Sequence, residues 1–130
     1  MRLWKVVVAG MVWGLCLSAC HRKTQAEDPN TWKKVNINFK RIGPDGYAGP
    51  SDGKVAVNYE FCLPAEEKYW KKVRQIDRTA EKMEGAAGRS GCGPKEWLII
   101  GSTAQANYQR VLFELAALPY VRSIRETNWE

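Results

Sequence analysis

The chain has 130 residues, with 20 basic side chains, 14 acidic side chains and a formal net charge of +6. A chain of this length, less a predicted N-terminal signal, suits one domain with a core of its own. Removing that signal, which carries Arg2 and Lys5, leaves a net charge of +4. Such a small basic surplus does not favour nucleic acid as a partner.

The N-terminal region has the three-part layout of a secretory signal. Arg2 and Lys5 form a basic head, an apolar run extends from Val6 to Leu17, and small residues precede Cys20. A bilayer-spanning helix needs about 20 apolar residues. The fourteen residues from Val6 to Ala19 fall short of that length, which favours a cleaved signal over the alternative of an uncleaved membrane anchor.

The sequence Leu17-Ser18-Ala19-Cys20 resembles the lipobox of bacterial lipoproteins. This resemblance implies that residues 1–19 are the signal peptide and that Cys20 becomes the lipidated N-terminus. Two or more acyl chains give stable anchoring, whereas one gives only marginal binding. In the family, Asp after the cysteine favours the inner membrane. Because His21 stands there, the resemblance implies the outer membrane, facing the periplasm.

A polar stretch without apolar periodicity, HRKTQAEDPNT at residues 21–31, follows the cysteine. It predicts a flexible tether, so residues 20–31 are expected to be the lipidated N-terminus and linker. The tether reaches at most ~40 Å when extended, which would let the domain stand off the membrane. Residues 32–130 are predicted to form a single folded domain.

Two cysteines, Cys62 and Cys92, belong to the predicted domain. An exported domain folds in an oxidising compartment, so an even pair predicts one disulfide. In the chain-entropy model a loop of this length makes the bridge worth roughly 3.5 kcal/mol. The alternatives are a redox pair, which usually reads C-x-x-C, and half of a metal site, which needs more ligands than the chain supplies.

Alternating apolar residues predict two strands in the first half of the domain. The first is KVNINFK at 34–40 and the second is KVAVNYEFC at 54–62, with a glycine- and proline-rich loop at 43–53 between them. The residues expected to share a buried face in these strands are Val35, Ile37, Phe39, Val55, Val57, Tyr59 and Phe61.

Helical spacing appears after the second strand. A helix is predicted to open at Pro64 and to bury a stripe made by Tyr69, Val73 and Ile76. The remaining predicted elements, in chain order, are a short strand at 80–84, a strand at 96–102, a helix at 106–118 and a strand at 121–129.

From Lys54 onward the predicted order is βαββαβ, which resembles the ferredoxin-like fold. The resemblance implies an α+β domain with an antiparallel sheet and both helices on one face. The strand near Val35 would be an extra N-terminal element. In this topology the first and third strands of the motif are antiparallel neighbours, which would place Cys62 beside Cys92. The disulfide and the fold therefore predict each other.

The distribution of possible catalytic groups argues against most enzyme classes. The only histidine is His21, outside the predicted domain, which excludes a Ser-His-Asp triad or a multi-histidine metal site within it. Glu60, Glu66 and Glu67 leave paired-acid catalysis as an alternative. We expect instead that Glu66 and Glu67 are first-turn helix acids and that Glu60 lies on the solvent side of its strand.

No cofactor and no metal are predicted. Asp45 and Asp52 supply too few oxygens for the six to eight ligands that calcium takes. GAAGRSGCG at residues 85–93 could hold an anion on its backbone N–H groups beside Arg89, but it matches no phosphate-binding fingerprint. A long hairpin loop pinned by the disulfide is the preferred interpretation.

Aromatic and basic side chains give the best sequence hint of a binding role. Outside its apolar stripe the first predicted helix carries Trp70 and a basic face of Lys68, Lys71, Lys72 and Arg74. This face could meet anionic lipid or an acidic patch of a partner, or it could simply be solvated. Exposed aromatic residues are enriched in interface hot spots. Trp70, Lys71 and Trp129 are therefore predicted to contact a protein partner, and Trp97 is expected in the core.

The predicted function is that of a non-catalytic, protein-binding lipoprotein at the outer membrane, for instance an inhibitor or immunity protein. The alternative is a component of an envelope, secretion or conjugation apparatus. A second alternative is a carboxylate-dependent envelope hydrolase.

Overall fold

A computed structural model describes residues 28–127, which form an α+β domain with a mixed five-stranded sheet and one disulfide. The elements in chain order are α1 (Pro29–Trp32), β1 (Val35–Asn36), a 3-10 turn (Phe39–Arg41), β2 (Tyr47–Ala48), β3 (Val55–Ala56), β4 (Asn58–Pro64), α2 (Glu67–Ile76), β5 (Glu81–Met83), β6 (Glu96–Ser102), α3 (Tyr108–Ala116) and β7 (Ile124–Glu126).

The strands of the main sheet lie in the order β1-β7-β4-β6-β5. The central strand β4 pairs antiparallel with β6 along its whole length and with β7 on its other side. β5 is antiparallel to β6, whereas β1 is parallel to β7, so the sheet is mixed. β2 and β3 form a separate antiparallel hairpin.

One face of the sheet carries the main core. Alternate residues of β4, namely Tyr59, Phe61 and Leu63, are fully buried and pack with residues of both long helices. Val73 of α2 and Leu112 of α3 are also fully buried. The alternation that predicted the strand therefore places these three side chains on the sheet face that the helices cover, as expected from the two-residue period of a strand.

The opposite face of the sheet is covered by the loop that connects β5 to β6. Cys92 in this loop bonds to Cys62 of β4, and the pair packs with Leu98 as a second, smaller cluster. The predicted disulfide and the predicted hairpin loop are both confirmed. Antiparallel pairing aligns Cys62 with Leu98, which brings the end of β4 beside the start of β6.

A glycine is required where this loop crosses the sheet. Gly88 has a φ of +60°, and a Cβ at this position would lie 2.5 Å from Oε2 of Glu60 and 2.8 Å from the side chain of Leu98. Any other residue would therefore meet both a left-handed backbone and two packed side chains. The loop can lie close to β4 only because the side chain is absent here.

The first half of the domain departs from the predicted strands. Only Val35–Asn36 pairs with β7, and Phe39–Arg41 forms a 3-10 turn in which the Asn38 side chain accepts a hydrogen bond from the N–H of Lys40. The second predicted strand divides into β3 and β4. Val55, expected on a buried face, is 63% exposed, because β3 pairs with β2 and lies outside the main sheet.

The domain boundary and the first long helix also differ slightly from the prediction. α1 begins at Pro29, within the stretch predicted to be tether, and is capped by the Asp28 side chain. The ring of Trp32 lies 5.6 Å from that of Phe39, which fixes this short helix on the domain. α2 begins at Glu67, because Pro64 still belongs to β4.

Candidate protein-binding surface

The helix α2 has one buried side and one basic side. Val73 is fully buried, and Tyr69 and Ile76 are half-buried against the core, which confirms the predicted apolar stripe. The solvent side is the basic helix face, which consists of Lys68, Lys71, Lys72 and Arg74, all exposed. A helical period of 3.6 residues places these four side chains away from the stripe.

Trp70 lies at the border between these two sides. The sequence predicted an exposed side chain, but the structure shows a half-buried one that packs against the main core. The guanidinium of Arg74 lies 5.9 Å from the ring centroid, at the usual limit for a cation–π contact. Trp70 is therefore part core and part surface.

A lysine for which the sequence predicted no role links α2 to the β5 edge of the sheet. Nζ of Lys82, in β5, lies 3.9 Å from the ring centroid of Trp97 and 5.6 Å from that of Trp70. The same amine lies 3.3 Å from a carboxylate oxygen of Glu67 and 3.1 Å from one of Glu84. We call Trp70, Lys82 and Trp97 together the aromatic ledge.

The charge of Lys82 is held in place by its surroundings. Partial burial on its own disfavours the ammonium, but hydrogen bonds to Glu84 and Glu67 outweigh it and raise the pKa of Lys82. Trp97, expected in the core, is half-buried like Trp70 and exposes part of its ring. The ledge is thus an amphipathic surface in which a fixed cation lies between two indoles.

A second aromatic pair continues the surface on the other flank of α2. The rings of Tyr69 and Tyr120 lie 4.3 Å apart between centroids, and Nζ of Lys68 lies 4.9 Å from the Tyr69 ring. Partial burial and the neighbouring Tyr69 raise the pKa of Tyr120. Tyr120 was not predicted, since it lies 51 positions from Tyr69 along the chain.

The expectation that Glu60 faces solvent is wrong. Glu60 is 2% exposed and lies under the β5–β6 loop, where Oε2 accepts hydrogen bonds from the N–H of Ser90 at 3.0 Å and from its hydroxyl at 2.9 Å. The alternation rule failed because it assumed that the second sheet face is open. The loop that covers this face lies about 30 residues further along the chain.

The three candidate acids do not share a site. Glu66 and Glu67 are exposed at the N-terminus of α2, where they pair with Lys68 and Lys82 respectively. Glu60 is on the opposite, loop-covered face of the sheet. Several of the backbone N–H groups that were considered as an anion cradle already have acceptors: Ser90 donates to Glu60, and Cys92 donates to the carbonyl of Ala87 at 2.8 Å. The anion that the loop holds is the protein's own carboxylate.

A buried polar network joins the end of α2 to the loop after β6. Asp77, fully buried, accepts a hydrogen bond from the Tyr59 hydroxyl at 2.5 Å and from the side chains of Thr79 and Gln105. Burial, together with the charge of Asp77, strongly raises the pKa of Tyr59. Each of these groups has partners within the protein, which is the arrangement of a structural network.

Some of the predicted site residues lie outside the described part of the chain. Cys20, the predicted lipidation site, and Trp129, a predicted partner contact, are both beyond residues 28–127. Within that range no three His, Cys, Asp or Glu side chains are arranged to hold a metal ion, and none of the helices has the length and apolar character of a membrane span. Asp45 accepts a hydrogen bond from Lys54 at 3.2 Å, and it also accepts one from the N–H of Tyr47, as expected of a turn aspartate.

Comparison with known proteins gives no match: no family model fits the chain, and neither a curated protein nor a solved structure is significantly similar to it. No residue role can therefore be transferred from a relative. The prediction that Trp70 and Lys71 contact a partner rests on their own position, chemistry and neighbours.

Proposed function

We propose that this protein is a lipid-anchored protein of the bacterial cell envelope whose folded domain binds another protein and catalyses no reaction itself. The lipobox-like sequence at residues 17–20 supports lipidation of Cys20, and His21 supports placement at the outer membrane, facing the periplasm. The disulfide between Cys62 and Cys92 is in keeping with an oxidising compartment.

The observation that carries the binding role is the adjacency of the aromatic ledge and the basic helix face. Trp, Tyr and Arg dominate interface hot spots because they offer large apolar area together with a polar or charged group. Here Trp70, Trp97 and Arg74 meet on one side of the domain, partly exposed, with Lys71 beside them. Single exposed aromatic residues are common on protein surfaces, whereas a contiguous group of them beside positioned cations indicates a site of interaction with another protein.

The environment of Glu60 supports a non-catalytic role. A general acid or a nucleophile must reach a substrate, whereas the Glu60 carboxylate is covered by a disulfide-bonded loop and is already hydrogen-bonded to Ser90. Glycosidase carboxylates face each other across a cleft at a defined separation. Glu60 and Glu66 are instead on opposite sides of the sheet, which weighs against the hydrolase alternative.

We further propose that the domain is a variant of the ferredoxin-like fold. The support is the order of β7, β4, β6 and β5 in the sheet, with α2 and α3 on one face. β1, parallel to β7, would then be the added N-terminal strand. Small ferredoxin-like domains include inhibitory propeptides of proteases, so an inhibitor or immunity protein is the form we favour. That preference comes from the fold alone.

The test of the binding role compares two half-buried tryptophans. Trp70→Ala and Trp32→Ala each remove an indole that packs on the core, so both should lower the free energy of unfolding, by about 1–3 kcal/mol. Partner capture by the tagged lipoprotein from envelope extracts, corrected for the folded fraction, should fall only in Trp70→Ala. A hot spot costs more than about 1 kcal/mol of affinity, roughly fivefold or more. Equal affinities of the two variants per folded molecule would show that Trp70 contributes to the core and not to partner binding.

The anchoring proposal is tested separately. Cys20→Ser should abolish incorporation of labelled palmitate and leave the signal uncut, because the cysteine sulfur carries the lipid in lipoproteins. Cys62→Ser provides the control, since it should incorporate the label like the wild-type protein. Equal labelling of the Cys20→Ser variant would end the lipoprotein interpretation.

A further inference from the structure

The positive charge of α2 is not neutralised by its neighbours. Lys71 and Lys72 are exposed and form no ion pair with any residue between 28 and 127. The two nearby acids are occupied, because Glu66 pairs with Lys68 and Glu67 with Lys82. The free charges therefore concentrate on the middle and end of the helix.

A further positive charge of α2, that of Arg74, is fixed in position. Nη1 of Arg74 donates to the carbonyl oxygens of Arg78 at 2.7 Å and Ala80 at 2.9 Å, so the guanidinium is held where α2 meets β5. Its contact with Trp70 joins the basic helix face to the aromatic ledge. Because less side-chain freedom is left to lose, a ligand that meets this guanidinium binds at a lower entropic cost.

The neighbouring helix α3 lies on the same sheet face but carries no such surplus. Its outward side chains Arg110 and Glu114 form an ion pair, with 3.1 Å between Nε and Oε1, so their charges cancel. A flat anionic membrane would face both helices at once and gain about 1 kcal/mol from each basic side chain near its surface. A surplus confined to α2 and bordered by indoles instead fits a narrower ligand that is acidic and partly apolar.

We propose that the partner presents an acidic polypeptide segment, which lies along the basic helix face and places an apolar side chain against the aromatic ledge. This inference rests on the proposed protein-binding function and specifies the chemistry of the partner. Complementary charge of this kind raises the association rate and makes it dependent on salt. Lys71 and Lys72 are the residues that meet the acidic side chains, and Trp70 meets the apolar one.

The experiment uses poly-L-glutamate as the probe and the full-length lipoprotein in neutral detergent. Amide chemical shifts of α2 should move on titration, and the affinity should fall as salt is raised from about 0.01 to 0.15 M, where the Debye length shortens from about 30 to 8 Å. The double variant Lys71→Glu/Lys72→Glu should bind at least about tenfold more weakly, since steering by charge changes association by about 10–10³-fold.

The matched control is Lys33→Glu/Lys40→Glu, which makes the same change in net charge on exposed residues away from α2. It should retain most of the affinity for poly-L-glutamate. A loss equal to that of the α2 variant would show that only overall charge matters and would overturn the proposal. The absence of any shift in α2 with poly-L-glutamate would overturn it as well.

A second arm replaces the probe by bicelles that contain phosphatidylglycerol, compared with neutral phosphatidylcholine bicelles. Shifts of the α2 amides with the anionic bicelles alone, and not with poly-L-glutamate, would assign the face to a membrane and overturn the proposal. Capture of the native partner separates this inference from the function on which it rests. If Trp70→Ala loses the partner while Lys71→Glu/Lys72→Glu binds it normally at all salt concentrations, the acidic-partner inference fails and the binding function stands.

Discussion

The two faces of the central sheet are covered by different means. On one face α2 and α3 bury fully apolar side chains such as Phe61, Val73 and Leu112. On the other face a loop with little regular structure is held by one disulfide, one carboxylate and a small cluster around Leu98. The helices are held by area removed from water, whereas the loop depends on a covalent bond and a few directed contacts.

This difference explains where the domain can present a functional surface. The helix-covered face has enough buried area to leave Trp70 and Trp97 partly exposed at its edge without losing the core. The loop-covered face uses its polar groups internally, with Ser90 bound to Glu60 and the carbonyl of Arg89 bound to Arg125 at 3.0 Å. The helical side is therefore the one that leaves aromatic side chains partly exposed for the proposed partner.

The largest expected effect comes from the helix-covered face. Leu112→Ala removes a fully buried side chain between α3 and the sheet, and should lower the free energy of unfolding by about 2–5 kcal/mol. Chemical denaturation at neutral pH measures this loss of unfolding free energy. Val111→Ala, at the half-buried neighbouring position, is the control and should cost clearly less. Equal losses would mean that α3 is not docked through Leu112.

A somewhat smaller loss is expected when the loop-covered face loses its covalent bond. Cys62→Ser/Cys92→Ser should lower the free energy of unfolding by about 3.5 kcal/mol in the chain-entropy model. Hydrogen exchange should speed up first at the N–H groups of Ser90 and Cys92, which lie in the loop. Uniform acceleration across α3 as well would contradict the separation between the two faces.

The close approach of the loop to β4 can be tested with two glycines that share a left-handed backbone. Gly88→Ala adds a methyl group against Glu60 and Leu98, whereas Gly85→Ala adds one into open space. Both changes carry the backbone strain of about 1–2 kcal/mol. Gly88→Ala should cost about 1–3 kcal/mol more, because overpacking is added to the strain. Thermal denaturation of both variants measures the difference, and equal melting temperatures would show that the loop does not press on β4.

The last prediction concerns the pH dependence of stability that comes from Tyr59, in the core under the helices, and this contribution is absent at neutral pH. Its pKa is raised above the ordinary value of 10, so the folded protein keeps a proton that the unfolded chain loses above pH 10. Stability should therefore be unaffected below that pH and should fall progressively above it. Tyr59→Phe should flatten this alkaline decline, as followed by denaturation between pH 9 and 12. An unchanged slope would show that Tyr59 is not the group responsible.

Much of the fold could be predicted from the sequence. β6 spans Glu96–Ser102, as its apolar run predicted, and the stripe of Tyr69, Val73 and Ile76 packs as its spacing required. The disulfide was also predictable, because the predicted domain holds two cysteines and the predicted antiparallel pairing of the strands next to them brings the two together. These properties follow from local periodicity and from composition, which the chain carries without reference to its tertiary contacts.

Tertiary structure alone decided the environments of Glu60, Trp70 and Lys82. The burial of Glu60 depends on a loop distant in sequence, and periodicity along β4 contains no information about what covers its second face. Trp70 is half-buried because it packs against core residues that are distant in sequence. Lys82 meets Trp97 and Trp70 only after β5 has paired with β6. Contacts between distant segments arise from the whole fold, so the candidate surface emerged from the structure whereas its individual residue types were visible in the sequence.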